Sequence, residues 1–103
     1  MKIRLKIQNN IFGINHNTIY NVLAIEDNYY RIINDKNSPT LYEISIFSII
    51  DNNIPSDWII KFEDNEIDYL GPKIFSGYFF EDYFDGNEIN KNILSDYLQS
   101  IGV

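Results

Sequence analysis

The sequence contains no cysteine, which excludes disulfides, thiolate metal sites and a cysteine nucleophile. It contains one histidine, His16, between Asn15 and Asn17 in a polar stretch. One histidine without cysteine gives no zinc ligand set. A histidine base would also need an orienting partner and a nucleophile, and no serine elbow motif is present. His16 therefore reads as a surface loop residue. Glycine is scarce, at five residues, and neither a P-loop nor a Gly-x-Gly-x-x-Gly pattern occurs. No run approaches the roughly 18 consecutive apolar residues of a membrane span. The start, Met1-Lys-Ile-Arg-Leu-Lys-Ile7, alternates charge with aliphatic residues and lacks the continuous apolar core of a signal peptide. A cytoplasmic location is expected. No basic cluster is present to release counterions from a phosphate backbone, so direct nucleic-acid binding is not expected.

Hydrophobic residues make up 45% and aromatic residues 16% of 103 residues, which indicates a folded chain of one domain's size. Isoleucine (20) and asparagine (14) are in excess. This reads most simply as the codon usage of an AT-rich genome, such as a low-GC bacterium or its phage or plasmid. The net charge of -7 is uneven. Residues 1–51 carry five bases and five acids, whereas residues 52–103 carry three bases and ten acids. An acidic half points to a basic partner or to solubility.

The chain is organised around residues 18–34. Two β-branched and aromatic runs flank Asp27-Asn28, two of the few non-glycine residue types that tolerate the positive φ of a primed hairpin turn. Before it, Lys2 to Ile7 alternates as a half-buried strand. Gln8 to Asn17 reads as a long polar loop carrying an Ile11-Phe-Gly-Ile14 plug that folds back onto the core. After it come a turn cluster at Asp35–Pro39, a short strand at Thr40–Ile44, a tight helical turn at Ser45–Phe47 and a last strand at Ser48–Ile50.

Five short strands with a long first loop, tight middle turns and a short turn before the last strand resemble an SH3-like small barrel over residues 1–51. The signalling SH3 family's Ala-Leu-Tyr-Asp-Tyr motif is absent, and no Pro-rich-peptide binding is carried over. The chain also resembles small uncharacterised bacterial and phage proteins that pair such a barrel, here with Leu41-Tyr42 and Phe47, with a C-terminal part carrying a tryptophan and an aromatic-acidic run. That likeness implies a fold and a setting but no activity.

Residues 52–103 form the second lobe. Trp58 to Glu63 is an apolar strand, Asp64-Asn65 a turn, and Glu66 to Leu70 a returning strand broken by Gly71-Pro72. Trp58 reads as core rather than contact. An aromatic and acidic run, Tyr78 to Gly86, follows. Ile89, Ile93, Leu94, Tyr97, Leu98 and Ile101 then share one helical stripe, with Asp85 and Glu88 as a capping box and Gly102 as the C-terminal stop. The expected fold class is α+β: a five-stranded SH3-like barrel (1–51), then a β-hairpin and one helix (52–103) packed on it as one compact unit.

Carboxylates are the remaining chemical groups. Glu63, Asp64, Glu66 and Asp68 surround a turn, and Glu81, Asp82, Asp85 and Glu88 accompany the aromatic run. A glycosidase pair would need a cleft that so short a chain hardly provides. Asp82 to Glu88 also lacks the alternating ligands of a calcium loop. No catalytic residue, metal or cofactor is expected. Aromatic anchors beside carboxylates do suit a face for a basic protein. The candidate binding residues are Glu63, Asp64, Glu66, Asp68, Tyr78, Phe79, Glu81, Asp82 and Asp85. The expected function is a small non-enzymatic inhibitor, of immunity or anti-defence type, acting on a basic, nucleic-acid-handling bacterial protein. The alternative is a phage or plasmid structural or adaptor module that self-associates through the barrel.

Overall fold

The computed structural model describes residues 1–6 and 11–102. Seven strands form one antiparallel sheet: β1 (Lys2–Leu5), β2 (Tyr20–Glu26), β3 (Tyr29–Ile33), β4 (Pro39–Glu43), β5 (Phe47–Asp51), β6 (Trp58–Glu63) and β7 (Glu66–Pro72). Two helices follow, α1 (Phe79–Phe84) and α2 (Glu88–Ser100). The protein is thus mainly β with a C-terminal helix, an α+β chain. It divides into two compact units, Met1–Lys73 and Ile74–Val103. The expected boundary was Asp51/Asn52; β7 pairs with β2, so the hairpin is part of the sheet of the first unit.

In the first unit the strand order is β4-β3-β2-β1-β5, with a 3₁₀ turn at Ile44–Ile46 joining β4 to β5. That turn lies one residue before the expected one. The Asp27-Asn28 turn closes β2 on β3 in the expected register, pairing Glu26 with Tyr29, and Asp27 takes a φ of 54°. The Phe47 ring packs edge-on against Tyr30 at 5.7 Å and Tyr42 at 6.4 Å, so β5 meets β3 and β4 across the core. Ile3, Leu5, Ile14, Tyr20, Val22, Ile32 and Trp58 complete that core. The alternation of β1 holds for Lys2 to Leu5; Ile7 and Gln8–Asn10 lie outside the described residues.

The plug folds back as expected at Ile14, which is 2% exposed, but not at Phe12, whose ring lies out under the Lys36 ammonium. Polar bonds hold this loop. The Tyr42 hydroxyl donates to the Phe12 carbonyl (2.8 Å), and the Asp35 amide donates to the Gly13 carbonyl (2.8 Å). The Tyr20 hydroxyl donates to Asp35 Oδ1 (2.7 Å) and accepts from the Asn15 amide (3.0 Å). Burial, reinforced by the bond to the Asp35 carboxylate, raises the Tyr20 phenol above its ordinary value, and burial alone raises Tyr30. Above pH of about 10 the unfolded chain therefore releases these protons while the folded chain retains them. Their contribution to stability is complete below that pH and is lost as pH rises through the folded values. Urea midpoints measured across the alkaline range should fall for the wild type. The fall should be shallower in Tyr20→Phe and Tyr30→Phe; identical slopes would refute the assignment.

Two elements depart from expectation in the second half. β7 continues through Gly71-Pro72, which pair with Ile59 and Trp58. Gly71 serves close packing there rather than a break, because a Cβ would stand 2.7 Å from the Ala24 Cβ. The aromatic run forms a helix of its own, so the described residues hold two α-helices where one was expected. Residues 79, 80 and 83 share its inner side, and Phe75, Phe79, Phe80 and Tyr97 stack with centroids 4.8–5.3 Å apart. The cap of α2 is also corrected. Asn87, not Asp85, accepts the Asn90 amide (3.1 Å), while the Asp85 amide closes α1 on Glu81. The short α1 covers only part of α2, which buries Leu94 and half-buries Tyr97 and Leu98, leaving Ile89, Ile93 and Ile101 exposed. Gly102 takes the positive φ of a C-terminal stop (77°), as expected.

Candidate protein-binding site

The β6–β7 hairpin carries the site. Its first strand, Trp-Ile-Ile-Lys-Phe-Glu, is rich in residues that favour a pleated, half-buried surface. Its turn residues Asp64 and Asn65 both take positive φ (51° and 68°), the requirement of a two-residue primed turn. Trp58 is held in the core at the hairpin's base. Among the described residues its buried Nε1 has no hydrogen-bond partner.

The pairing of β7 with β2 decides what the tip faces. Ile25 pairs with Leu70, Glu26 with Tyr69, and the Asp27 amide donates to the Asp68 carbonyl at 3.0 Å. The β2–β3 turn is thereby fixed beside the hairpin tip. Between them lies a depression of about 190 Å³ lined by Asp27, Glu63, Asp64, Glu66, Ile67 and Asp68. An adjoining hollow of about 510 Å³ is lined by Ile25, Asp27, Asn28, Glu66, Ile67 and Leu70. The described ion pairs are Arg31–Glu26 and Lys91–Glu88, so among the described residues none of these five carboxylates is neutralised by a side-chain cation. Across β6 and β7, Ile60 pairs with Leu70 and Phe62 with Ile67. Ile60, Phe62 and Ile67 remain 52%, 66% and 46% exposed. An uncovered apolar row thus runs beside the acidic tip.

Four of the candidate residues, Glu63, Asp64, Glu66 and Asp68, are exposed and brought together here. Asp27 joins them and was missed, because only the long-range β2–β7 pairing places it there. Ile60 and Phe62 were also missed, since an unbroken apolar run reads as buried. The other candidates belong to the second unit. Tyr78 is 79% exposed, and Glu81, Asp82 and Asp85 are exposed along α1. Phe79 is buried, at 8% exposed with its ring 5.0 Å from Phe75, so it packs inside the second unit rather than on its surface.

Chemically, the tip can attract and orient cationic groups while Ile60, Phe62 and Ile67 lose water on contact. Among the described residues, no group of three or more His, Cys, Asp or Glu is placed to hold a metal ion. No helix among them is long and apolar enough to cross a membrane. Comparison of the chain with protein-family models, curated proteins and solved structures finds no match.

Proposed function

We propose that the protein is a non-catalytic binding protein whose β6–β7 hairpin occupies a basic face of another protein in the bacterial cytoplasm. An inhibitor of immunity or anti-defence type, directed at a nucleic-acid-handling protein, is the form this reading takes. The observation that carries it is the group of five carboxylates around the depression, none of them neutralised by a side-chain cation among the described residues, beside exposed Ile60, Phe62 and Ile67. Carboxylates around a tip attract and orient a cationic face, and apolar side chains supply burial once contact is made. The strand order β4-β3-β2-β1-β5, with a 3₁₀ turn before β5, supports the SH3-like reading of the sheet that carries the hairpin.

The test is capture of the partner from lysate of the source cell at low salt and again at about 0.5 M, where screening shortens to a few Å. Binding of one basic protein is expected to weaken at least about tenfold between the two, mainly through slower association. The Glu63→Gln, Asp64→Asn, Glu66→Gln, Asp68→Asn variant should lose it at low salt. A complex indifferent to both changes would overturn the reading. A second reading, an adaptor that self-associates, is supported by exposed Ile49 and Ile50 on edge strand β5. Light scattering at high concentration discriminates the two: a strict monomer removes the adaptor.

A further inference from the structure

Strand β6 is bonded on one side only. Its six residues pair with β7, and among the described residues no other strand pairs with it. Every second residue of a strand directs its backbone N–H and C=O outward, so β6 presents a row of groups ready to accept another strand. Natural edges of this kind are blunted by proline, by lysine, by a bulge, by inward charge or by covering. Residues 58–63 hold no proline, the register shift of the hairpin puts its extra residue, Asp68, on β7 rather than on β6, and the single interior charge is Lys61, paired with Tyr69 on the side opposite Ile60 and Phe62. Ile60 and Phe62 are instead open beside Ile67. An incoming strand would find both an unpaired backbone and an apolar row for alternate side chains.

Charge selects the occupant. If two copies paired through β6 in parallel, their acidic tips would coincide. If they paired antiparallel, each tip would lie against the Asp57 end of the other strand. Both arrangements juxtapose carboxylates, with only Lys61 to offset them. A foreign strand carrying lysine or arginine meets no such repulsion. We propose that the β6 edge accepts an extended, cationic segment of the partner protein as an added strand. Apolar side chains of that segment would lie against Ile60 and Phe62, and its cations would lie near Glu63 and Asp64, where β6 runs into the acidic tip. This mode of β-augmentation draws affinity from main-chain bonds and specificity from alternate side chains. It rests on the reading of the hairpin as the partner-binding face and specifies how the partner is held.

The probe is a short synthetic peptide alternating valine with lysine, used with the intact protein. Its controls are the same peptide N-methylated along one edge and a version with glutamate for lysine. Titration at low salt should show the cationic peptide binding. Amide hydrogen exchange of residues 59–63 should slow on binding. N-methylation should weaken binding about tenfold or more, since it removes several interstrand bonds at once. The glutamate peptide should not bind. Equal binding of the methylated and unmethylated peptides, both lost on neutralising the tip carboxylates, would overturn the added strand while leaving the acidic face as the binding face. Failure of the cationic peptide to bind at low salt would overturn the proposal, and salt-dependent capture of the partner would then decide the broader reading separately. Self-association of the protein that protects the same amides would also overturn it, by making a second copy the occupant.

Discussion

Replacing Arg31 by alanine should lower the unfolding free energy by about 3 kcal/mol, the lower end of the range for breaking a buried pair. Arg31 lies mid-strand in β3 and is 6% exposed. Its Nε and Nη2 donate to the two oxygens of Glu26 at 2.7 and 2.9 Å, and Nη1 donates to the Pro39 carbonyl at 3.0 Å. Truncation leaves the Pro39 carbonyl without this donor and Glu26 without its cation. The Glu26 side chain is 26% exposed, so water partly rehydrates it and keeps the loss at that lower end. Arg31→Lys should recover only part of the stability, because an ammonium cannot make the two parallel bonds. The measurement is the urea midpoint at constant m-value for Arg31→Ala, Arg31→Lys, Glu26→Gln and the double variant. Strict additivity of Arg31→Ala and Glu26→Gln would show that the pair does not act as one unit.

Glu26 gives this pair a bearing on the candidate site. It is the last residue of β2 and pairs with Tyr29 of β3 on one side and Tyr69 of β7 on the other. Asp27 follows immediately and is the carboxylate contributed by the turn to the acidic depression. The bidentate bond to Arg31 therefore fixes the strand end from which the β2–β3 turn departs. On the proposed reading, carboxylates held in place beforehand lose less freedom when a cationic partner binds.

Local chemistry was legible in the sequence, and long-range pairing was not. Asp27-Asn28 and Asp64-Asn65 announce their hairpins because positive φ is tolerated by few side chains. The helix at residues 88–100 is legible from its apolar spacing, although that stripe overstates what is buried. By contrast, nothing near Asp27 in the chain indicates that it neighbours Asp68. That follows from β7 joining β2 across about 40 residues, a pairing that residue patterns within either strand do not specify. The helix at 79–84 was hidden because a run of phenylalanines and tyrosines has high strand propensity. Stacking with Phe75 and Tyr97 overrides that preference. Asn87 rather than Asp85 caps α2 because α1, ending at Phe84, already uses Asp85 as its own last turn.

Gly13→Ala is expected to cost about 3 kcal/mol or more, from two sources that add. Gly13 has a φ of +79°, where an L side chain pays roughly 1 kcal/mol or more. A Cβ there would also lie 2.7 Å from both Asn34 Nδ2 and the Tyr42 hydroxyl oxygen. Neither can move freely. They are bonded to each other at 3.1 Å, Asn34 Nδ2 also donates to Thr40, and the Tyr42 hydroxyl donates to the Phe12 carbonyl. Overpacking of this kind costs about 1–3 kcal/mol. Relieving it by swinging the loop outward would draw Ile14 from the core, losing about 1.5–3 kcal/mol of burial instead. The midpoint of thermal unfolding should fall by roughly 10–20 °C for a domain of this size. Tyr42→Phe deletes one of the two obstructing atoms, so in the Gly13→Ala background it should cost less than it does alone, or restore stability outright. Exchange of the Asp35 amide, bonded to the Gly13 carbonyl, should accelerate in Gly13→Ala ahead of exchange in β2 and β3. A wild-type midpoint in Gly13→Ala, with that amide still protected, would mean that the loop does not depend on the close approach at this position.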